Sequence, residues 1–191
     1  MSKNKSEGGF ISHLTELRQR LIYSFICLAA LFVISYFFSD YIYGFLVEPY
    51  SKAVEGDNVD RRLIFTALQE TFLTYLKVSF FAAFFVTCPF ILIQIWKFIA
   101  PGLYEHEKSA IVPYLIITPI LFLLGGMLVY YLVMPLAIKF FLSFESTGAI
   151  TNLPIQLEAK VNEYLSLVMK LIFAFGLSFQ LPVVLSLLAR I

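Results

Sequence analysis

Four apolar stretches divide the chain: Leu21–Phe38, Val78–Trp96, Ile111–Ile138 and Leu171–Ala189. None of them contains Asp, Glu, Lys, Arg or His. A bilayer core about 30 Å thick needs roughly 20 mostly apolar residues to be crossed by a helix, and each stretch is near or above that length. Lipid offers no partner for backbone N–H and C=O groups, so spans of this kind are helices. The residue-by-residue alternation of a membrane barrel is missing. The predicted fold is all-α: one polytopic membrane domain over residues 1–191, with four transmembrane helices.

The polar residues between the stretches alternate between two sides. One side holds Met1–Arg20, the Lys97–Ala110 loop and the tail Arg190–Ile191; the other holds Ser39–Lys77 and Lys139–Lys170. Lys and Arg tie at seven per side, but the first side packs its seven into fewer residues, and Lys3, Lys5, Arg18 and Arg20 precede the first helix. That bias predicts a cytoplasmic N-terminus. The two outer segments exceed thirty residues each, long enough to have local structure or a function of their own. The first reads as a short amphipathic turn at Tyr41–Leu46, broken at Glu48-Pro49-Tyr50. In the second, Asn162–Lys170 has helical character and extends the fourth helix beyond the membrane.

Five prolines fall in the later spans: Pro89, Pro113, Pro119, Pro135 and Pro182. Each removes a backbone donor and clashes with the preceding turn, so these helices should bend into a curved wall. The plain alternative is that prolines are simply tolerated in membrane helices. Gly125-Gly126 allows a neighbouring helix to approach closely.

Composition agrees: 60% hydrophobic and 14% charged, against about 25% charged in soluble domains. No Lys/Arg block is dense enough for nucleic acid. Cys27 and Cys88 both lie in spans and read as reduced small hydrophobes. The first span exceeds a signal-peptide h-region and lacks a following A-x-A site, so it reads as retained. There is no internal repeat of the kind that marks many transporters.

Candidate chemistry is sparse. Ion and proton paths through membranes usually use ionisable side chains, and the four stretches have none. Their larger polar groups are Gln94 and Gln180. The Gln180 amide reads either as glue between helices of the monomer or as a docking point for a partner or signal helix. Two histidines, His13 and His106, lie outside the spans, and neither H-E-x-x-H nor G-x-S-x-G occurs. The reading is not an enzyme, with no metal and no cofactor.

The N-terminal side is more informative. Ser12 is placed to cap a short helix on which Leu14, Leu17 and Leu21 share one face. Glu16 and Arg20, four apart, can pair. Trp96 suits a membrane-boundary anchor, and Pro101-Gly102 turns the chain. Glu107 in the first turn of the third span can simply complement the helix dipole. Taken together, Glu16 and Glu107 lie at one membrane face near apolar Phe98 and Leu14. Such a surface suits a basic, partly apolar peptide, because carboxylates bind a guanidinium fork in bidentate fashion.

Three motifs carry a family resemblance: His13-Leu14-Thr15-Glu16-Leu17-Arg18-Gln19-Arg20, Gln94-Ile95-Trp96-Lys97-Phe98-Ile99-Ala100-Pro101-Gly102-Leu103-Tyr104, and Phe175-Gly176-Leu177-Ser178-Phe179 with Pro182. In this order they resemble the TatC family of the twin-arginine translocase, as do Glu70-Thr71-Phe72 and Pro49. The resemblance implies the receptor of an export machine that moves folded proteins across the cytoplasmic (inner) membrane on the proton-motive force. It implies that Glu16 and Glu107 engage the paired arginines of signal peptides, beside Phe98, Leu14, Leu17 and Arg18. Gln180 and Pro49 become contacts to a partner or signal helix. Implied partners are single-span proteins of the TatB and TatA types, in an oligomer within the lipid bilayer. Family members have six spans, so four imply a chain truncated at its C-terminus, and many members carry Glu where this chain has Gln180. The competing readings are a small-solute transporter or channel, which would need a polar path through the spans, and a structural membrane scaffold.

Overall fold

The computed structural model describes residues 3–55, 61–99, 105–146 and 155–189; in residues 3–13, 99, 105–112 and 187 only the backbone is described. The helices are α1 (Lys3–Phe37), α2 (Ser39–Val54), α3 (Glu70–Ile99), α4 (Glu105–Leu128), α5 (Met134–Leu142), α6 (Val161–Ser178) and α7 (Leu181–Leu188). A π turn at Val129–Val133 joins α4 to α5. Among the described residues, four segments are long and apolar enough to cross a membrane: Leu14–Phe37, Glu70–Phe98, Pro113–Leu142 and Val161–Ser186. All four predicted spans are present, and the helices run past the uncharged stretches at most ends. The protein is a multi-pass, all-helical membrane protein.

Several local expectations are corrected. Ser12 lies inside α1 rather than at a helix start. The expected Lys97–Ala110 loop shrinks, because α3 runs to Ile99 and α4 starts at Glu105. The expected break at Glu48-Pro49-Tyr50 is absent, since α2 continues through Pro49. Proline cannot donate to the carbonyl four residues back, which here belongs to Phe45. The Tyr130 hydroxyl donates to that carbonyl at 2.8 Å, and the Tyr164 hydroxyl donates to the Leu46 carbonyl at 3.1 Å. The Tyr130 hydroxyl thus supplies the donor that the helix lacks at its proline, and Tyr164 adds a bond one residue further on.

Other prolines do interrupt. The π turn ends two residues before Pro135, which has no N–H to donate to the Tyr131 carbonyl. The fourth span is two helices, split at Phe179-Gln180 just before Pro182. Pro89, Pro113 and Pro119 stay inside α3 and α4. As expected, the stretch Asn162–Lys170 is helical, within α6.

The main core gathers α2, α3, the π turn, α5 and α6 around Leu46, Met134, Leu165 and Val168. It lies toward the side opposite the N-terminus. A smaller cluster, Trp96 with Val183, lies toward the N-terminal side. Ser24, Ser79, Thr87 and Ser178 are satisfied within their own helices, each donating to the carbonyl four residues back. Gly125 and Gly126 make the close helix approach that their sequence context predicts, and Gly176 faces Gly125. A Cβ on Gly125 would lie 2.7 Å from the Phe175 carbonyl oxygen, and one on Gly176 would lie 2.8 Å from the Phe122 ring. Neither cysteine is in a disulfide.

Candidate functional site

On the N-terminal side, α1 places Glu16 and Arg20 one helical turn apart. Arg20 reaches one Glu16 carboxylate oxygen with Nε at 3.1 Å and Nη2 at 2.5 Å, and donates through Nη1 to Gln94 Oε1 at 2.8 Å. The guanidinium therefore ties α1 to α3 and holds the Glu16 carboxylate in place. Both side chains are partly exposed, so the pair itself adds little stability. Leu14 and Arg18 are exposed on α1, and Leu17 is half-buried. Phe98 is half-buried near the end of α3. Glu107 sits in the first turn of α4; its side chain, like residues 100–104 with the Pro101-Gly102 turn, lies outside the described residues.

Deeper in the same half, one threonine of α4 joins α3 to the break between α6 and α7. The Trp96 indole N–H donates to Thr118 Oγ1 at 3.0 Å, and the Gln180 amide donates to the Thr118 carbonyl at 2.9 Å. Trp96 is buried against Tyr114 and Val183. This corrects its reading as a boundary anchor: its N–H finds a partner within the bundle, so the ring packs inward. Gln180 is buried, and its contact is the helix-to-helix bond that one of its two readings required.

The far side is closed by a clasp. Arg61 forks onto Glu145 with two bonds of 2.7 Å, and the Leu157 N–H donates to the same carboxylate at 2.7 Å. Short bridges pair Ile64 with Lys160 and Ser146 with Ile155. The Arg61 guanidinium, helped by the Leu157 N–H, holds the Glu145 carboxyl down at about 2. Lys77 donates to Asn162 at 2.8 Å, joining α3 to α6. Glu48 on α2 is held below the ordinary range by Lys52 and the Tyr130 hydroxyl. Among the described residues, no group of three or more His, Cys, Asp or Glu could hold a metal ion.

The family model described as "Sec-independent protein translocase protein (TatC)" matches residues 12–191. The chain belongs to the TatC family. Its relatives include the TatC proteins of Rickettsia prowazekii, 50% identical over 92% of this chain and 68% of the relative, and of Magnetococcus marinus, 49% identical over 94% and 63%. The chain thus spans about two thirds of the length of these two. A crystal structure described as the twin arginine translocase receptor TatC in DDM superposes with a TM-score of 0.77 at 37% identity, covering 93% of this chain and 76% of that one. TatC proteins are components of protein transport, and this chain is a multi-pass member.

Of the residues that the TatC resemblance singled out, Glu16, Leu14, Leu17 and Arg18 share α1, with Phe98 at the same membrane side. Gln180 and Pro49 are buried in opposite halves of the bundle. The Arg20–Gln94 bond, the Thr118 junction, the two tyrosine donors and the Arg61–Glu145 clasp were not foreseen. Most join residues more than twenty apart, and the clasp joins residues 84 apart. No local periodicity encodes such pairs.

Proposed function

We propose that this chain is the signal-peptide receptor of a twin-arginine export system. It sits in the cytoplasmic membrane with its N-terminus in the cytoplasm. Glu16 and Glu107 accept the paired arginines of a signal peptide, while Leu14, Leu17 and Phe98 offer the apolar surface beside them and Arg18 borders it. The supporting observation is the Arg20 fork, which presents Glu16 in a fixed position on a partly exposed helix face. An incoming guanidinium would find a carboxylate already oriented. The TatC family membership supports the same reading. Single-span proteins of the TatA and TatB types are the expected partners in an oligomer, and the proton-motive force is the expected drive. Gln180 and Pro49, both buried, contribute by setting where α7 and α2 present themselves to a partner helix.

Photo-crosslinking from positions 16, 98 and 107 in membranes tests this, using a precursor with an Arg-Arg signal and its Lys-Lys twin. Crosslinks at all three positions that depend on arginine are expected. Equal crosslinking of the twins would remove the receptor reading and favour a generic acidic surface. For the partner contact, Gln180→Leu should lower co-purification of the single-span proteins, and unchanged recovery would remove that role.

A further inference from the structure

An apolar groove of about 460 Å³ opens between α2, α3, α4 and the π turn, lined among others by Phe45, Phe85, Leu123, Met127, Tyr131 and Ile172. It begins at Leu123, near mid-span, and runs toward the far side. Tyr130 and Tyr131 also line a second, adjoining hollow. That hollow is more polar than the groove, with Lys52, Lys139 and Glu48 around Pro135. Two cations and one carboxylate leave it a net charge of +1. Glu48 pairs with Lys52 at 2.6 Å, so the surplus charge is centred on Lys139.

We propose that the two hollows form one site for an anionic phospholipid of the far leaflet. One acyl chain fills the groove and the phosphate lies by Lys139 and Lys52. Dimensions and charge both argue for it. From Leu123 to Lys139 the chain advances 16 residues, about 24 Å at 1.5 Å per residue. A leaflet with its headgroup is about half of a 40–45 Å bilayer. The groove is apolar where an acyl chain would lie, and the cationic surplus falls where a phosphate would lie. A second copy of this chain or a partner helix would match the groove but would leave the charge at its mouth without a purpose. This inference needs only that the chain spans the membrane, and it stands apart from the signal-peptide reading.

Native mass spectrometry of the intact chain, released from micelles titrated with dioleoyl phosphatidylglycerol or dioleoyl phosphatidylcholine, provides the test. Retention of phosphatidylglycerol should exceed that of phosphatidylcholine by about fivefold, the effect of one basic residue near a lipid surface. Lys139→Gln should abolish the preference and Lys139→Arg should keep it. Met127→Trp or Leu123→Trp, each checked for wild-type helicity and a monodisperse profile, should lower retention of both lipids by filling the groove. Equal retention of the two lipids by the wild type, or an undiminished preference in Lys139→Gln, overturns the proposal. So does a lipid-free dimer that Met127→Trp dissociates, since the groove would then belong to a second copy.

Discussion

Replacing Gly125 by Ala should loosen the α4–α6 contact, and the cost can be worked from distances. The new Cβ would meet the Phe175 carbonyl oxygen at 2.7 Å and the Gly176 Cα at 2.9 Å. Both are backbone atoms, so no side chain can swing aside. Ordinary contact begins at 3.4 Å, so the helices must part by about 0.7 Å. A gap of 0.5–1 Å forfeits about a quarter to a half of each dispersion well of about 0.1–0.2 kcal/mol. If the seam holds about as many atom pairs as one buried leucine, about 40–60, the loss is about 2 kcal/mol. That agrees with the usual cost of overpacking, about 1–3 kcal/mol. Gly44 provides the control: nothing lies within 4 Å of its would-be Cβ, so Gly44→Ala should be neutral or stabilise α2 by up to about 1 kcal/mol. Equilibrium unfolding in mixed micelles, followed by far-UV circular dichroism, measures both. A Gly125→Ala protein within about 0.5 kcal/mol of wild type would refute the backbone-contact argument.

Three further outcomes are expected. Tyr130→Phe should destabilise α2 by about 1 kcal/mol, and much less in a Pro49→Ala background, where residue 49 regains its own N–H for the Phe45 carbonyl; additive effects in that double-mutant cycle would contradict the substitution of side chain for backbone. Thr118→Val leaves the Trp96 N–H without its partner, so the emission of the chain's single tryptophan should shift to shorter wavelength, and unchanged emission would count against the junction. The Glu145 carboxyl is held at about 2 against an ordinary 4.5, so its contribution is present above pH 4.5 and lost as pH falls toward 2. Exchange of the Leu157 amide, corrected for intrinsic rate, should stay slow from pH 7 to 5 and accelerate below 4.5, with the acid dependence flattened in Glu145→Gln; acceleration already at pH 6 would exclude this carboxylate as the cause.

The spans were legible because an uncharged run of bilayer length has few other uses, and the double glycine was legible because small residues mark close helix contact. The i,i+4 pair of Glu16 and Arg20 could be read from spacing alone. The course of the chain at its prolines could not. Pro49 and Pro135 carry the same local signal, yet one sits in an unbroken helix and the other follows a π turn. At Pro49 the Phe45 carbonyl is met by the hydroxyl of Tyr130, 81 positions away from Pro49 along the chain. Trp96 was misjudged for a related reason: an indole at the end of a span suits the lipid interface equally well, until a threonine on a neighbouring helix offers an acceptor. Glu16 was singled out by its type and position, whereas the residues that hold its carboxylate, Arg20 and Gln94, belong to different helices and meet only in the fold.

The π turn has a consequence for angular phase. Buried positions along α4 and the π turn run through Thr118, Phe122, Gly125, Gly126, Val129 and Tyr130, then resume at Met134 and Ile138. An unbroken helix of 3.6 residues per turn would have resumed about one residue earlier. The turn thus behaves as a one-residue insertion that rotates α5 by about 100° against α4. Deleting a single residue from Val129–Val133 would restore a regular helix and carry Met134 and Ile138 round toward lipid. The same rotation would move Lys139 off the line it shares with Tyr131. In this span, residue count matters as much as residue identity: a point substitution changes one contact, whereas a one-residue deletion changes which face the whole outer end presents.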